Sequence, residues 1–194
     1  MIIEKGYNMI FSEDELRQII AGKTVGDFYP YRGGTQKQIL FFIKELIYKF
    51  DKSKLLDYDV DFDSYGCGYS SYVDLFLYKK NRRSTIVKGN SDYIDGISIY
   101  ISRLAPVAVL GVNQKTKHDS GGGYGFLSTK SINKLPEGDW KNEINYIKQR
   151  FEKNNITFLS NKIVNKKLDF DVEISTNLSE DEYKVFDALF HWMD

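Results

Sequence analysis

The sequence predicts an α+β fold: a mostly antiparallel β-sheet of about five to six strands with N-terminal and C-terminal helices packed on it. Three observations predict it. Residues 92–112 hold the longest apolar, β-branched run in the chain. Two capping boxes, Ser12 with Glu15 and Thr35 with Gln38, open helices ahead of that run. Behind it, Trp140, Ile144, Ile147 and Phe151 recur at helical spacing.

The first helix takes Leu16, Ile19 and Ile20 as its apolar stripe and ends at Gly22. The second buries Ile39, Leu40, Phe42, Ile43, Leu46, Ile47 and Phe50. From residue 56 the period changes to two. Asp57, Asp59, Asp61 and Asp63 alternate with Tyr58, Val60 and Phe62, which reads as a solvated edge strand guarded by its charge. A strand over 72–78 follows, with Val73, Leu75 and Leu77 inward. A basic turn over 79–83 then leads to a short returning strand over 84–87. Ile97, Ile99 and Ile101 alternate with Ser98, Tyr100 and Ser102, and Pro106 bends the chain into a second core strand over 107–112. Residues 113–125 read as a polar, Gly-rich loop, with a short strand over 124–127 beyond it. Residues 135–139 make a turn and N-cap for the third helix. A short strand over 156–159, an alternating stretch over 168–174, and a last helix opened by Ser179 and Glu182 complete the chain. That helix carries Val185, Phe186, Leu189, Phe190 and Trp192. The two C-terminal helices are expected on one face of the sheet.

The length of 194 residues fits one domain, with a helical part over 1–52, the sheet over 56–130 and a helix-rich part over 135–194. No apolar run approaches the length of a bilayer span. Glu4 and Lys5 interrupt the place of a signal peptide, and the one cysteine has no internal partner. Both point to a cytoplasmic setting. The 27 basic and 27 acidic residues balance, so net charge offers no case for nucleic acid or membrane. Locally the balance breaks: residues 79–88 are basic, and residues 169–194 hold eight carboxylates against one lysine, Lys184.

Catalytic candidates are few. Cys67 lies between two glycines, and with His118 it forms the one conceivable nucleophile–base pair. His118, Asp119 and Ser120 precede three glycines, but no GK[ST] or helix start follows, so a hairpin loop is the better reading than a phosphate cradle. One Cys and two His do not make a metal cluster of ordinary spacing. No metal or cofactor is expected.

Residues 100–111 (YISRLAPVAVLG), 135–140 (LPEGDW) and 185–194 (VFDALFHWMD) resemble parts of small bacterial proteins of uncharacterised kind. Some of these are similar to the immunity proteins that neutralise partner toxins in polymorphic-toxin systems. The resemblance spans about the last half of the chain and carries over no functional residue. It implies a non-enzymatic protein-binding protein acting by occlusion on a protein partner such as a basic toxin domain. The residues themselves suggest Asp181, Glu182 and Asp187 as charges that steer a basic partner. They also suggest Tyr65, Tyr69 and Tyr124 as aromatic anchors, among 14 Tyr in all. Two rivals stand beside this reading. One is a small hydrolase using Cys67 or the His118 loop. The other is a self-associating module joined through Phe186, Phe190 and Trp192.

Overall fold

A computed structural model describes residues 11–66, 68–176 and 182–193. Both N-terminal capping boxes close as the sequence demands. In α1 (Glu13–Ile20) the Ser12 amide donates to Glu15 Oε2 at 2.8 Å, and the Glu15 amide donates to Ser12 Oγ at 3.3 Å. In α2 (Gln36–Tyr48) Thr35 and Gln38 repeat the exchange at 2.9 and 3.3 Å. Each box satisfies two amides that a helix start leaves without partners.

The strands are β1 (Leu56–Asp61), β2 (Tyr69–Ser70), β3 (Tyr72–Lys79), β4 (Thr85–Lys88), β5 (Ser91–Ser102), β6 (Val107–His118) and β7 (Gly121–Tyr124). The helices α3 (Lys141–Glu152), α4 (Asn161–Val164) and α5 (Val185–Leu189) follow, with the two-residue strands β8 (Thr157–Phe158) and β9 (Trp192–Met193) among them. The main sheet is seven-stranded. Its path is β1-β3-β5-β6-β7, with β4 also on β5 and β8 parallel to β6; β2 and β9 form a separate pair.

The β5–β6 hairpin is the spine. Ser91 to Ile101 pair with His118 to Ala108 without a break. The turn between the strands is fixed by Ser102, whose Oγ accepts from the Leu104 and Ala105 amides at 3.1 and 3.2 Å. Arg103 is held there too: its amide donates to Ser71 O, and its Nη2 donates to Phe62 O at 2.6 Å.

Helices cover both faces of the spine. Val73, Leu75, Leu77, Ile97, Ile99, Ile101, Ala108 and Leu110 lie against α2 and α3, where Ile39, Ile43, Leu46, Ile47, Ile147 and Phe151 are buried. The opposite face presents Tyr72, Tyr100, Val107 and Val109 to α1, α4 and α5. The two C-terminal helices α3 and α5 therefore lie on opposite faces, not on one. Both N-terminal helices belong to the core.

Several expectations are corrected. Residues 113–118 continue β6 rather than forming a loop, and β7 ends at Tyr124 rather than starting there. These segments lack an apolar face because they project past the helices, and backbone pairing with polar side-chain contacts such as Asn113 to Ser98 and Lys115 to Asp59 holds them. Strand β4 returns on β5, not on β3, so β3 and β4 share one side of β5 in series. Residues 168–174 alternate as a strand would, yet no strand forms. Leu168, Phe170, Val172 and Ile174 instead pack irregularly onto the face made by α1 and α5. The last helix is short and starts at Val185. Its N-terminus is capped by Asp187, whose Oδ2 accepts from the Lys184 amide at 2.7 Å. Ser179, the expected cap, lies outside the described residues.

Gly96 lets the two faces close. A Cβ there would lie 2.4 Å from Phe76 Cζ and 2.6 Å from Leu77 O, whereas one at Gly123 would meet nothing within 4 Å. Gly96→Ala is therefore expected to cost about 1–3 kcal/mol as overpacking, and Gly123→Ala less than about 0.5 kcal/mol. Denaturant unfolding of the two variants checks this, with equal m-values showing that the change lies in the fold.

Candidate functional site

In an antiparallel sheet, directly paired residues share a face. Following the register from Asp59 through Phe76 and Ser98 to Gly111 places a set of polar and aromatic groups together. Asp57, Asp59 and Asp61 come from β1. Asp74, Phe76 and Tyr78 come from β3, Ser98 and Tyr100 from β5, Asn113 and Lys115 from β6, and Tyr124 from β7.

This face is concave. Lys115 Nζ reaches Asp59 Oδ2 at 2.7 Å although β6 and β1 are three strands apart. In a flat sheet those residues would be separated by roughly 14 Å across the strands and 13 Å along them. Only a curled sheet brings them into contact. One end of the concavity is filled by α1, α5 and the 168–174 segment. The other end opens as a depression of about 350 Å³ lined by Asp59, Tyr78, Ile94, Lys115 and Lys117.

Asp74 sits on the floor, 2% exposed. Its Oδ2 accepts from the Tyr65 hydroxyl at 2.9 Å, and its Oδ1 has no hydrogen-bond partner. Among the described residues no cation pairs with it. Burial, with a smaller push from the Asp61 charge, raises its pKa to about 7, and the Tyr65 hydrogen bond opposes that rise. With its proton on Asp74, the Tyr65 hydroxyl oxygen is left to accept from the Tyr72 hydroxyl, 3.2 Å away. Tyr72 stacks on Tyr100 with ring centroids 4.0 Å apart, and the Tyr100 hydroxyl accepts from the Leu127 amide at 2.7 Å. Burial first, and then the Asp74, Asp59 and Asp61 charges, raise the Tyr124 pKa.

Tyr65 owes its position to a tight turn. Ser64, Tyr65 and Gly66 all have φ between 55° and 80°, and Asp61 Oδ1 accepts from the amides of Asp63 and Tyr65 at 2.8 and 3.1 Å. Such a left-handed run is costly for residues with a Cβ. Here the carboxylate bonds of Asp61 and the ring contacts of Tyr65 hold it.

The three tyrosines named from sequence are half-buried rather than open. Tyr65 packs edge-on against Phe126 and Trp192 at 5.0 and 5.7 Å, and Tyr124 stacks on Phe76 at 4.9 Å. Tyr69 lies apart, 5.9 Å from the buried His191 ring. Of the acids, Asp181 lies outside the described residues. Glu182 is exposed and pairs with Lys167. Asp187 is 7% exposed, and one of its oxygens caps α5, so it is placed to hold a helix rather than to steer a partner. Cys67 also lies outside the described residues. His118 and Ser120 flank the β6–β7 turn, with Nδ1 and Oγ 2.7 Å apart on exposed backbone. Phe186 and Phe190, the expected self-association surface, are 5% and 1% exposed in this chain's own core. No helix among the described residues is long and apolar enough to cross a membrane.

The structure adds acids that sequence order separates. Arg17 of α1 donates to Asp171 O at 3.3 Å and lies 4.3 Å over the Phe170 ring. That clamp joins the last turn of α1 to the 169–173 segment. Glu13 and Asp14 of α1 and Asp169, Asp171 and Glu173 of the segment are exposed, and Glu13 pairs with the same Arg17 at 2.8 Å. Among the described residues, Asp169, Asp171 and Glu173 form no ion pair. The opposite end of β5, about 37 Å away along a twelve-residue strand, carries exposed Arg83, Lys88 and Lys117.

The Asp74 environment makes stability depend on pH. Its folded pKa lies above the ordinary carboxyl value, so the fold retains a proton that the unfolded chain has lost. That contribution is complete below about pH 4 and is lost as pH rises to about 7; ionisation in the fold costs on the order of 4 kcal/mol. Asp74→Asn keeps the shape without the charge. Its stability relative to the native chain is expected to rise between pH 4 and pH 7 and to level off above that. Parallel denaturant curves at several pH values measure the difference, and a constant difference would refute the assignment. Comparison with protein-family models, with characterised proteins and with solved structures finds no match to this chain.

Proposed function

We propose that the chain is a non-enzymatic protein-binding protein that covers a basic surface on its partner, in the manner of a toxin-immunity protein. One observation carries the reading: Asp169, Asp171 and Glu173 are exposed, form no ion pair among the described residues, and belong to the segment that Arg17 ties to α1, where the exposed Glu13 is held by the same Arg17. Unpaired surface carboxylates contribute little to stability. Concentrated on one side of a chain whose net charge is zero, they set up a field that speeds encounter with a cationic partner. This surface replaces Asp187 as the steering element and keeps Glu182 at its margin. The partner is then expected to be basic where it binds, and binding occludes that basic surface.

The rival hydrolase reading is favoured by the Ser120–His118 contact of 2.7 Å. A working nucleophile–base pair needs a third group to orient the imidazole and donors to receive an oxyanion. Ser120→Ala and His118→Ala separate the two readings, because they would silence a hydrolase and leave partner binding intact.

The test starts with the tagged chain as bait and its captured protein partner purified. Association rates are then measured against ionic strength for the native chain and for Asp169→Lys with Asp171→Lys. The double variant is expected to associate about tenfold more slowly at low salt and to show a flatter salt dependence. Equal rates and equal salt slopes would rule out steering by this surface.

A further inference from the structure

Asp74 is a buried carboxylate that the fold leaves half unused. One oxygen is taken by Tyr65, the other is unpartnered, and no cation among the described residues answers its charge. Structural carboxylates at this depth are ordinarily paired or fully hydrogen-bonded. The surroundings are also selective. Aromatic rings from Tyr65, Tyr72, Phe76, Tyr124, Phe126 and Trp192 lie around it or directly against its neighbours. Among the described residues no group of three or more His, Cys, Asp or Glu is arranged to hold a metal ion, and a hard divalent ion needs about six oxygen ligands. A carboxylate among ring faces suits an organic cation instead, because the faces are electron-rich and tolerate alkyl groups.

The same concave face already accommodates an ammonium. Lys115 Nζ lies 2.7 Å from Asp59 Oδ2, two positions along β1 from Asp61, which pairs with Asp74. The lining of the depression stops at Tyr78; further along β3 on the same face come Phe76, which stacks on Tyr78 and Tyr124, and then the buried Asp74. The cover on the outer side is thin. Phe126 is 46% exposed and rests on Tyr65, and Tyr65 rests on Asp74.

We propose that the concave face is a binding site for a primary alkylammonium group, with Asp74 as its counter-ion and the Tyr124 and Phe76 rings along its alkyl chain. This goes beyond the partner reading above and does not depend on it. In the unliganded chain Asp74 holds a proton up to near neutral pH, so the incoming ammonium displaces that proton. The other groups facing Asp74 are Asp61 of β1 and the hydroxyls of Tyr65, Tyr72, Tyr100 and Tyr124, with Asp59 and Lys115 paired to each other farther along the same face. Lys115 is committed to Asp59, and the two acids of β1 add to the attraction for a cation.

The test is calorimetric titration with n-butylammonium chloride, with n-butanol as the uncharged control, at pH 6 and pH 8. The native chain is expected to bind butylammonium saturably, about tenfold more tightly at pH 8 than at pH 6 because the ionised fraction of Asp74 changes by that factor. At pH 6 the observed heat should vary with the ionisation enthalpy of the buffer, which reports the released proton. Asp74→Asn is expected to bind at least tenfold more weakly. Tyr65→Phe, which keeps the ring and frees the second carboxylate oxygen, is expected to bind at least as tightly as the native chain, and it keeps the test decisive if Asp74→Asn fails to fold. Absence of saturable binding in the native chain, equal binding of butanol, or equal affinity at the two pH values would overturn the proposal. Titrations with 1,4-diaminobutane and with lysine capped at both backbone ends distinguish a free amine from a lysine side chain of a larger ligand.

Discussion

The curl of the sheet is the constraint on which the rest of the molecule depends. The β5–β6 hairpin pairs without interruption from Ser91 to Ile101. Long paired strands twist in one sense, and neighbouring strands add to the twist. With β3 and β1 added on one side and β7 on the other, the accumulated rotation brings the two margins toward each other. The Lys115–Asp59 contact records the result. Gly96 and Gly111 are the places where the curl demands a missing side chain. At Gly96 the Phe76 ring lies against the backbone, and at Gly111 the carbonyl of Ser131 lies 2.5 Å from where a Cβ would stand.

The two faces produced by this curl have unlike chemistry. The convex face is apolar where α2 and α3 close over Ile97, Ile99, Ile101 and their neighbours. The concave face is apolar only at the end filled by α1 and α5. Toward its open end it carries Asp74, Ser98, Asn113 and a series of phenols. Here hydrogen bonds replace close packing: Asn113 Nδ2 donates to Ser98 Oγ at 2.8 Å and to Gly125 O at 2.7 Å. A satisfied polar network costs little. Asp74 and its unpartnered oxygen are the exception, and a low local dielectric makes that exception expensive. A cost of this kind inside an otherwise well-packed layer marks the floor of the concavity as the point where shape and charge are in tension.

Much of the local structure was legible before any coordinates. Ser12, Thr35 and their partners three residues on mark helix starts because the reciprocal bonds involve neighbours in sequence. The edge strand of alternating aspartates was legible for the same reason: period two needs only the strand itself. Legibility stopped where pairing was long-range or where the apolar signal was missing. Residues 113–118 read as a loop because neither of their faces is apolar, yet β5 and β7 supply their hydrogen bonds. Residues 168–174 show the opposite case, with a strand's pattern and no strand partner. Their apolar side chains are buried all the same, which is what the alternation encoded.

What the sequence by itself determined was the periodicity, the caps, the zero net charge and the uneven placement of acids and bases. Each depends on residues close together in the chain. Only the tertiary structure decided which acids act together and which are used up. Asp187 turned inward to cap α5, whereas Asp169 and Asp171 were carried beside Glu13 by the Arg17 clamp. Only the curl decided that Asp59, Asp61, Asp74 and Tyr124 would share one concavity. The physical reason is that strand order and twist set distances between residues dozens of positions apart, while periodicity encodes no more than the direction in which each side chain leaves its own strand.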